Sequence, residues 1–201
     1  MKRISLFLVI LSLAFAAQAQ NKINYSSGIK AGANAYKLDI ADHPDEYDEK
    51  FLLDFHAGVF FKVPLTSMFS LQPEILYSGE GSKFKYGTIE SKTHLRYLAV
   101  PVMFQVNTSA GVHFETGPQL GVLIQAKNKI DNDGTEEELK LTTQLKQTNF
   151  AWGIGVGYRI SNVGIGARYL HGLTNISLTD EFPERKTRGF QAGLSYYFDN
   201  K

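Results

Sequence analysis

The chain has 201 residues, with 21 Lys and Arg against 20 Asp and Glu, and it contains no cysteine. That balance lacks the basic excess a nucleic-acid partner calls for, so none is expected. A disulfide framework and a thiolate metal site are excluded outright, and no cofactor is expected.

Residues 1–19 read as a cleaved signal peptide. Lys2 and Arg3 form a positive start, and Ile4 to Phe15 is an apolar run too short for a stable spanning helix. Ala17-Gln18-Ala19 fits the small-x-small cleavage pattern. The mature chain is then one domain over residues 20–201, close to electroneutral. No Cys follows the apolar run, so a lipoprotein anchor is not expected. After the leader, no apolar run approaches the ~20 residues of a spanning helix. Membrane residence therefore requires a closed β-barrel, the other structure that satisfies every backbone group in lipid.

The dominant period along the mature chain is two. It predicts strands over 27–38, 51–63, 69–79, 91–106, 111–127, 147–160, 163–176 and 187–198. In the fifth segment, Val112, Phe114, Leu120, Val122 and Ile124 share one face, with His113, Glu115, Gln119 and Gln125 on the other. Helical spacing would mix those sets. In the sixth, Phe150, Trp152, Ile154, Val156, Tyr158 and Ile160 oppose Ala151, Gly153, Gly155, Gly157 and Arg159. In the last, Phe190, Ala192, Leu194, Tyr196 and Phe198 oppose Gln191, Gly193, Ser195 and Tyr197.

The connections alternate in length. Pro64–Met68, Asn107–Ala110 and Ser161-Asn162 are short; Asp39–Lys50, Glu80–Glu90, Asn128–Lys146 and Ser177–Lys186 are longer and polar. Short periplasmic turns and long external loops are the pattern of an outer-membrane barrel. The fold class expected is all-β, an eight-stranded antiparallel up-and-down transmembrane barrel. A soluble barrel or sandwich fits less well, because the face opposite the apolar one is too rich in glycine for a water-facing exterior. Aromatics fall where lipid interfaces would lie. Phe61, Phe69, Tyr158 and Phe198 are near the short turns; Phe51, Tyr77, Phe150, Trp152 and Tyr169 are toward the long loops.

Several stretches resemble the PorT-like family of outer-membrane β-barrel proteins. They are Gly28-Ile-Lys-Ala-Gly-Ala-Asn34, Leu71-Gln-Pro-Glu-Ile-Leu-Tyr-Ser78, Tyr97-Leu-Ala-Val-Pro101, Gly117-Pro118 with Gly121, Gly153-Ile-Gly-Val-Gly-Tyr158, Ala167-Arg-Tyr169 with Gly172-Leu-Thr-Asn175, and Gly193-Leu-Ser-Tyr-Tyr-Phe198. The resemblance covers nearly the whole mature chain, and order and spacing carry it. Ala99 stands where the family often has a carboxylate, and Asp199-Asn200-Lys201 follow the aromatic on which such barrels usually end. The resemblance implies the barrel fold and outer-membrane residence. The namesake is linked to protein secretion, which suggests an accessory role in secretion or membrane assembly.

The inward face is expected to hold Lys30, Asn34, Asp54, His56, Lys62, Gln72, Glu74, His113, Glu115, Gln119, Arg159, Arg168 and Gln191. Charges in so narrow an interior must pair. A salt-bridged polar network is expected from Lys30, Asp54, His56, Glu74, His113, Glu115, Arg159 and Arg168, with Glu74 and Glu115 accepting from Lys30, Arg159 and Arg168. The expected partners are outer-membrane lipid and lipopolysaccharide, together with envelope or secretion proteins reached through the external loops. A monomer is expected.

Three other constellations merit weighing. His171, Ser177 and Asp180 sit near the end of one strand, as in lipid-modifying barrels, but sequence cannot supply a triad's geometry. His113 and Glu115 could pair as base and orienter, though a hydrogen-bonded interior pair is the simpler reading. Asp131-Asn-Asp-Gly134 with Glu136–Glu138 faintly resembles a calcium loop, yet it lacks the twelve-residue frame, and Asp-Gly also makes an ordinary hairpin turn. Asp42, Asp45, Glu46, Asp48 and Glu49 make the first loop acidic; such loops could bridge through divalent ions to lipopolysaccharide phosphates. A non-enzymatic barrel is the expectation.

Overall fold

The computed structural model describes residues 25–40, 48–86, 89–132, 135–140, 142, 145–178 and 183–199. Its strands are β1 (Ser26–Ile40), β2 (Asp48–Pro64), β3 (Phe69–Tyr86), β4 (Ile89–Asn107), β5 (Val112–Asn132), β6 (Thr135–Lys140), β7 (Thr148–Ile160), β8 (Val163–Gly172) and β9 (Arg185–Asp199). All but β6 form one antiparallel ring. It closes where β1 meets β9, from Ser26↔Asp199 to Ile40↔Arg185. Closure leaves no edge strand in the ring, which is what lipid demands of a sheet. No helix among the described residues is long and apolar enough to cross a membrane.

At one end the connections are tight. Leu65 and Thr66 both donate to the Phe69 carbonyl. Gly111 closes the second turn with φ of 88°, and Ser161 opens the third with φ of 54°, the left-handed region that tight hairpins require. At the other end two segments differ from the sequence reading. Within Glu80–Glu90, residues 80–86 and 89–90 are strand rather than loop. β3 and β4 continue through it, pairing from Gly79↔Arg96 to Tyr86↔Ile89. The segment Asn128–Lys146 likewise contains β6, which pairs only with β5, from Lys127↔Lys140 to Asn132↔Thr135. Asp133 and Gly134, between the two strands, lie outside the described residues. Polar alternation such as Ser82, Lys83, Phe84 and Lys85 looked like a loop because it lacks an apolar outer face. A strand whose outer face meets water needs none.

Across the middle of the ring the outer face is apolar. Ile29, Val59, Ile75, Phe104, Phe114, Ile154, Ile165 and Leu194 all stand exposed. Aromatic groups flank this belt at both levels. Phe69 stacks on Phe104, and Tyr196 packs edge-on to Phe198, toward the short turns. Phe55 with Tyr77, and Phe51 and Tyr169 with Phe190, lie toward the other end.

Above the belt the sidedness reverses. On β4 the outward series from Phe104 to Leu98 continues as Arg96, His94 and Lys92, while Leu95 and Tyr97 are fully buried inside. On β5 a bulge opposite Arg96 and Tyr97 resets the alternation after Ile124, so that Ala126 faces in while Lys127 and Lys129 face out. Leu38, Leu95, Tyr97, Leu123 and Ala126 then form a buried cluster. Leu145 and Ile176 enter it from the external connections, and Ile40 and Phe84 pack against it. An apolar exterior needs lipid, whereas an apolar interior under a charged exterior needs water. The reversal therefore marks the level at which the barrel leaves the hydrocarbon. The external mouth is capped by this apolar cluster. Ile176→Ala truncates a fully buried member of it and should weaken the cap by about 2–5 kcal/mol. Proteolysis of the connection after β8 should then accelerate while the barrel keeps its folded mobility on gels.

Candidate functional site in the barrel lumen

Below the cap, the inward faces converge on a network built around Arg168 of β8. Its guanidinium meets Glu74 of β3 through two bonds, Nη2 to Oε1 at 2.9 Å and Nη1 to Oε2 at 3.1 Å. Its Nε donates to Oε1 of Glu115 on β5 at 2.8 Å. The Lys30 ammonium on β1 reaches both Glu74 oxygens at 3.2 Å. Gln72 donates to Glu74 at 2.9 Å, and Gln105 of β4 to Glu115 at 3.1 Å. Two cations thus balance two carboxylates, and a fork-on-fork pair is the strongest form such a contact takes. Burial would otherwise forbid these charges, and mutual pairing is what permits them.

The glycines of β7 make room for this network. A Cβ on Gly155 would lie 2.9 Å from a Glu115 oxygen, and one on Gly157 would lie 2.4 Å from the His113 ring. A Cβ on Gly153 would crowd Met103, Leu170 and Arg168. The run Gly153-Ile-Gly-Val-Gly157 is therefore small on its inward face because the opposite wall fills that space. The cavity remaining beside Lys30, His56, Gln72 and Arg168 is about 40 Å³, room for about one or two waters.

The other inward residues occupy different levels. His56 Nδ1 lies 2.7 Å from Asn34 Oδ1, and Asn34 donates to the Gly79 carbonyl at 2.7 Å. Gln119 and Gln191 are buried inward. His113 shares the inward face with Glu115, whose carboxylate is held by Arg168 and Gln105. Arg159 lies at the short-turn end. Its Nε donates to the Ser161 carbonyl at 2.7 Å, and its guanidinium lies 3.9 Å over the Tyr197 ring. Lys62, near the same end, donates to Asn107 at 2.6 Å.

Asp54 goes elsewhere. β2 carries a bulge between Phe51 and His56, which rotates Asp54 out of the simple alternation. Its carboxylate pairs with Arg96 and lies 3.6 Å from His94 Nδ1. It crosses the outer side of Gly79, whose missing side chain leaves the path open. The bulge has no signature in the residue pattern of Phe51–His56. Gln105 was missed for another reason: it lies in a segment whose inward set, Met103 and Gln105, mixes apolar and polar residues.

The outer rim is charged and internally paired. Hydrogen bonds from Lys83 and Lys92 hold the exposed Glu90 carboxyl down to about 2. Lys127 meets Glu138 at 2.7 Å, and Arg188 pairs with Asp39. His171 stands exposed on the outer face of β8. Ser177 is buried and donates its hydroxyl to the Pro183 carbonyl at 2.8 Å. Asp180 lies outside the described residues, as do Asp42, Asp45 and Glu46 of the acidic first loop. Among the described residues no group of three or more His, Asp or Glu could hold a metal ion.

A closed ring with a lipid-facing belt and a paired polar interior is the anatomy of an outer-membrane protein. The chain also matches the outer membrane protein beta-barrel domain model over residues 16–178. The chain belongs to this family. No curated protein matches it in sequence. Among solved structures, the outer-membrane barrel resembles Ail, the attachment invasion locus protein of Yersinia pestis. They share 15% identity and a TM-score of 0.52, over 88% of this chain and 100% of that one. Neisserial surface protein A is also similar, at 15% identity and a TM-score of 0.48, over 86% of this chain and 97% of that one. The outer-membrane barrel is thus an all-β protein of the bacterial outer membrane.

Proposed function

We propose that this outer-membrane barrel is a closed, non-enzymatic scaffold that meets its partners through its external rim. The observation that carries the reading is the reversal of sidedness above the belt. It turns the long β3–β4 and β5–β6 hairpins into a water-facing platform with an apolar interior, fixed to a barrel whose lumen is filled. A rigid, charged platform outside the bilayer suits contact with the polar headgroups of lipopolysaccharide and with envelope proteins. The buried position of Ser177, with its hydroxyl held by a carbonyl, speaks against its acting as a nucleophile beside His171. Residues 1–19 serve as the export signal in this reading, and the mature barrel acts as a monomer.

The resemblance to PorT-like proteins favours a second reading, an accessory role in protein secretion or membrane assembly. One set of experiments separates the two. Shortening the β3–β4 hairpin by deleting residues 82–91 should leave a heat-modifiable, folded barrel that no longer retains its partners in cross-linked membranes. Loss of secreted cargo in the deletion strain would favour the secretion role. Planar-bilayer recordings should show no steady conductance, and a large stable open state would refute the filled lumen.

A further inference from the structure

One inward carboxyl takes no part in the Arg168 network. Glu80 points into the barrel from β3, and its ladder partner is Leu95 of the external cap. It is 2% exposed, and its Oε2 has no hydrogen-bond partner. Its Oε1 accepts only the Ser78 hydroxyl, at a long 3.5 Å. Ser82, next along the same face, and Tyr97 of the cap also carry buried hydroxyls without a partner.

The described groups around Glu80 supply no countercharge. Tyr36 faces it from β1 and Tyr97 from β4. Asp54, in the β2 bulge, turns to the outer face, where Arg96 and His94 hold it. Glu49 and Lys50 stand further up β2, level with Phe84 and Lys83. The buried polar residues Gln119 of β5, Asn149 of β7, and Thr187 and Gln191 of β9 are neutral. Arg188 of β9 pairs with Asp39. Deeper in the lumen, Arg168 and Lys30 are engaged by Glu74 and Glu115, and His56 by Asn34. A carboxylate does not stay charged in such surroundings. Glu80 stands on the water side of the hydrocarbon boundary, because Leu95 lies beyond Arg96 on β4. Burial pushes its carboxyl up to about 8. It therefore keeps its proton while the cap covers it.

The cover is lightly held. Leu145 and Ile176 belong to connections, not to ring strands. The Lys146 N–H donates to the Ile176 carbonyl and the Ile176 N–H to the Arg185 carbonyl, both at 2.9 Å. One isolated bridge joins Leu145 to Ser177. Such units open locally at less cost than a closed sheet. When they lift, water reaches Glu80, and the open state accepts the charge that the closed state rejects.

We propose that Glu80 is a proton-operated latch on the external mouth. Neutral, it leaves the cap closed; in losing its proton it draws in water and releases the connections that carry Leu145 and Ile176. The Arg168 network lies below and is untouched, so the mouth opens onto a pocket and not a pore.

The sign follows from the raised carboxyl. Below the ordinary carboxylate range both states are protonated and the cap has its full stability. As pH rises from there to about 8 the open state ionises first, and the cap loses stability until the closed state ionises too. The test uses the full mature barrel in dodecyl maltoside and measures amide hydrogen-exchange protection by NMR from about pH 5 to about pH 9. Protection of the Lys146 and Ile176 amides should fall by up to about tenfold per pH unit and level off above about 8. Ring amides such as Ile154 and Leu194 should keep theirs. Glu80→Gln stays neutral and should hold both cap amides at their acid-side protection throughout. His94 and His171 stand on the outer face in both proteins, so their titration cancels in the comparison. An equal fall in the Gln variant, constant protection in the native chain, or a loss that extends to the ring amides overturns the proposal. The Glu80 carboxyl carbon in labelled native protein gives a readout that needs no variant. Its resonance should titrate near the upper end of the window, and a carboxyl already ionised at about pH 5 overturns the latch as well.

Discussion

Arg168→Met should lower the stability of the barrel by about 3–5 kcal/mol, the range for removing one partner of a buried ion pair. Arg168 is shared by two carboxylates, so its loss leaves Lys30 alone to balance Glu74 and Glu115. The measurement is the urea midpoint of the heat-modifiable band in mixed micelles. The double variant Arg168→Met/Glu74→Gln sharpens the test. Each single change leaves one uncompensated charge in the lumen; together they leave only Lys30 and Glu115, which cancel. The combined loss should therefore fall short of the sum by about 0.5–3 kcal/mol, the coupling expected of groups in one network. Strictly additive losses would show that the four charges do not act as a unit. Arg168→Lys should rescue only partly, since an ammonium cannot reproduce the fork that engages Glu74 and Glu115 at once.

Ile154→Arg should cost about 2–4 kcal/mol, the penalty for a cation near the middle of a barrel's lipid face. Ile154 lies midway along β7 with its side chain outward. Lys129→Gln, outward on β5 but above the reversal, should change stability by less than about 0.5 kcal/mol. Cysteine substitutions check the same boundary without a stability measurement. Cysteine at Ile154 should react only with a lipid-soluble maleimide, and cysteine at Lys92 or Lys129 with a charged one. A water-accessible position 154 would move the hydrocarbon boundary and undo the reading of the external platform.

The strands over the belt were legible because lipid on one side and a packed lumen on the other impose strict alternation. Phe150 to Ile160 and Phe190 to Phe198 show it most plainly. Legibility failed where the environment changed. Above the reversal the outer face wants Lys and Arg, so Lys83, Lys85 and Lys92 made paired strands resemble a loop. Leu145 is an isolated apolar residue in a polar connection, and Ile176 closes a segment predicted as strand to 176 whose strand ends at Gly172; only folding back over the mouth gives them a role. The central ion pairs followed from charge and face alone, because Lys30, Glu74, Glu115 and Arg168 lie on unbroken stretches of period two. Asp54 did not follow, because a single extra residue in β2 re-aimed it toward Arg96.

The seam between β1 and β9 has a bearing on how the protein is made. Ser26 pairs with Asp199, so the first strand to reach the periplasm waits for the last. Until then both terminal strands present bare edges, and the apolar outer face has no lipid against it. Contacts this distant in sequence form slowly, and open edges invite pairing with other chains. Until β9 arrives the chain is therefore open to pairing with other chains. It can become a barrel only as a whole, and a chain that lacked β9 would have no partial barrel to fall back on.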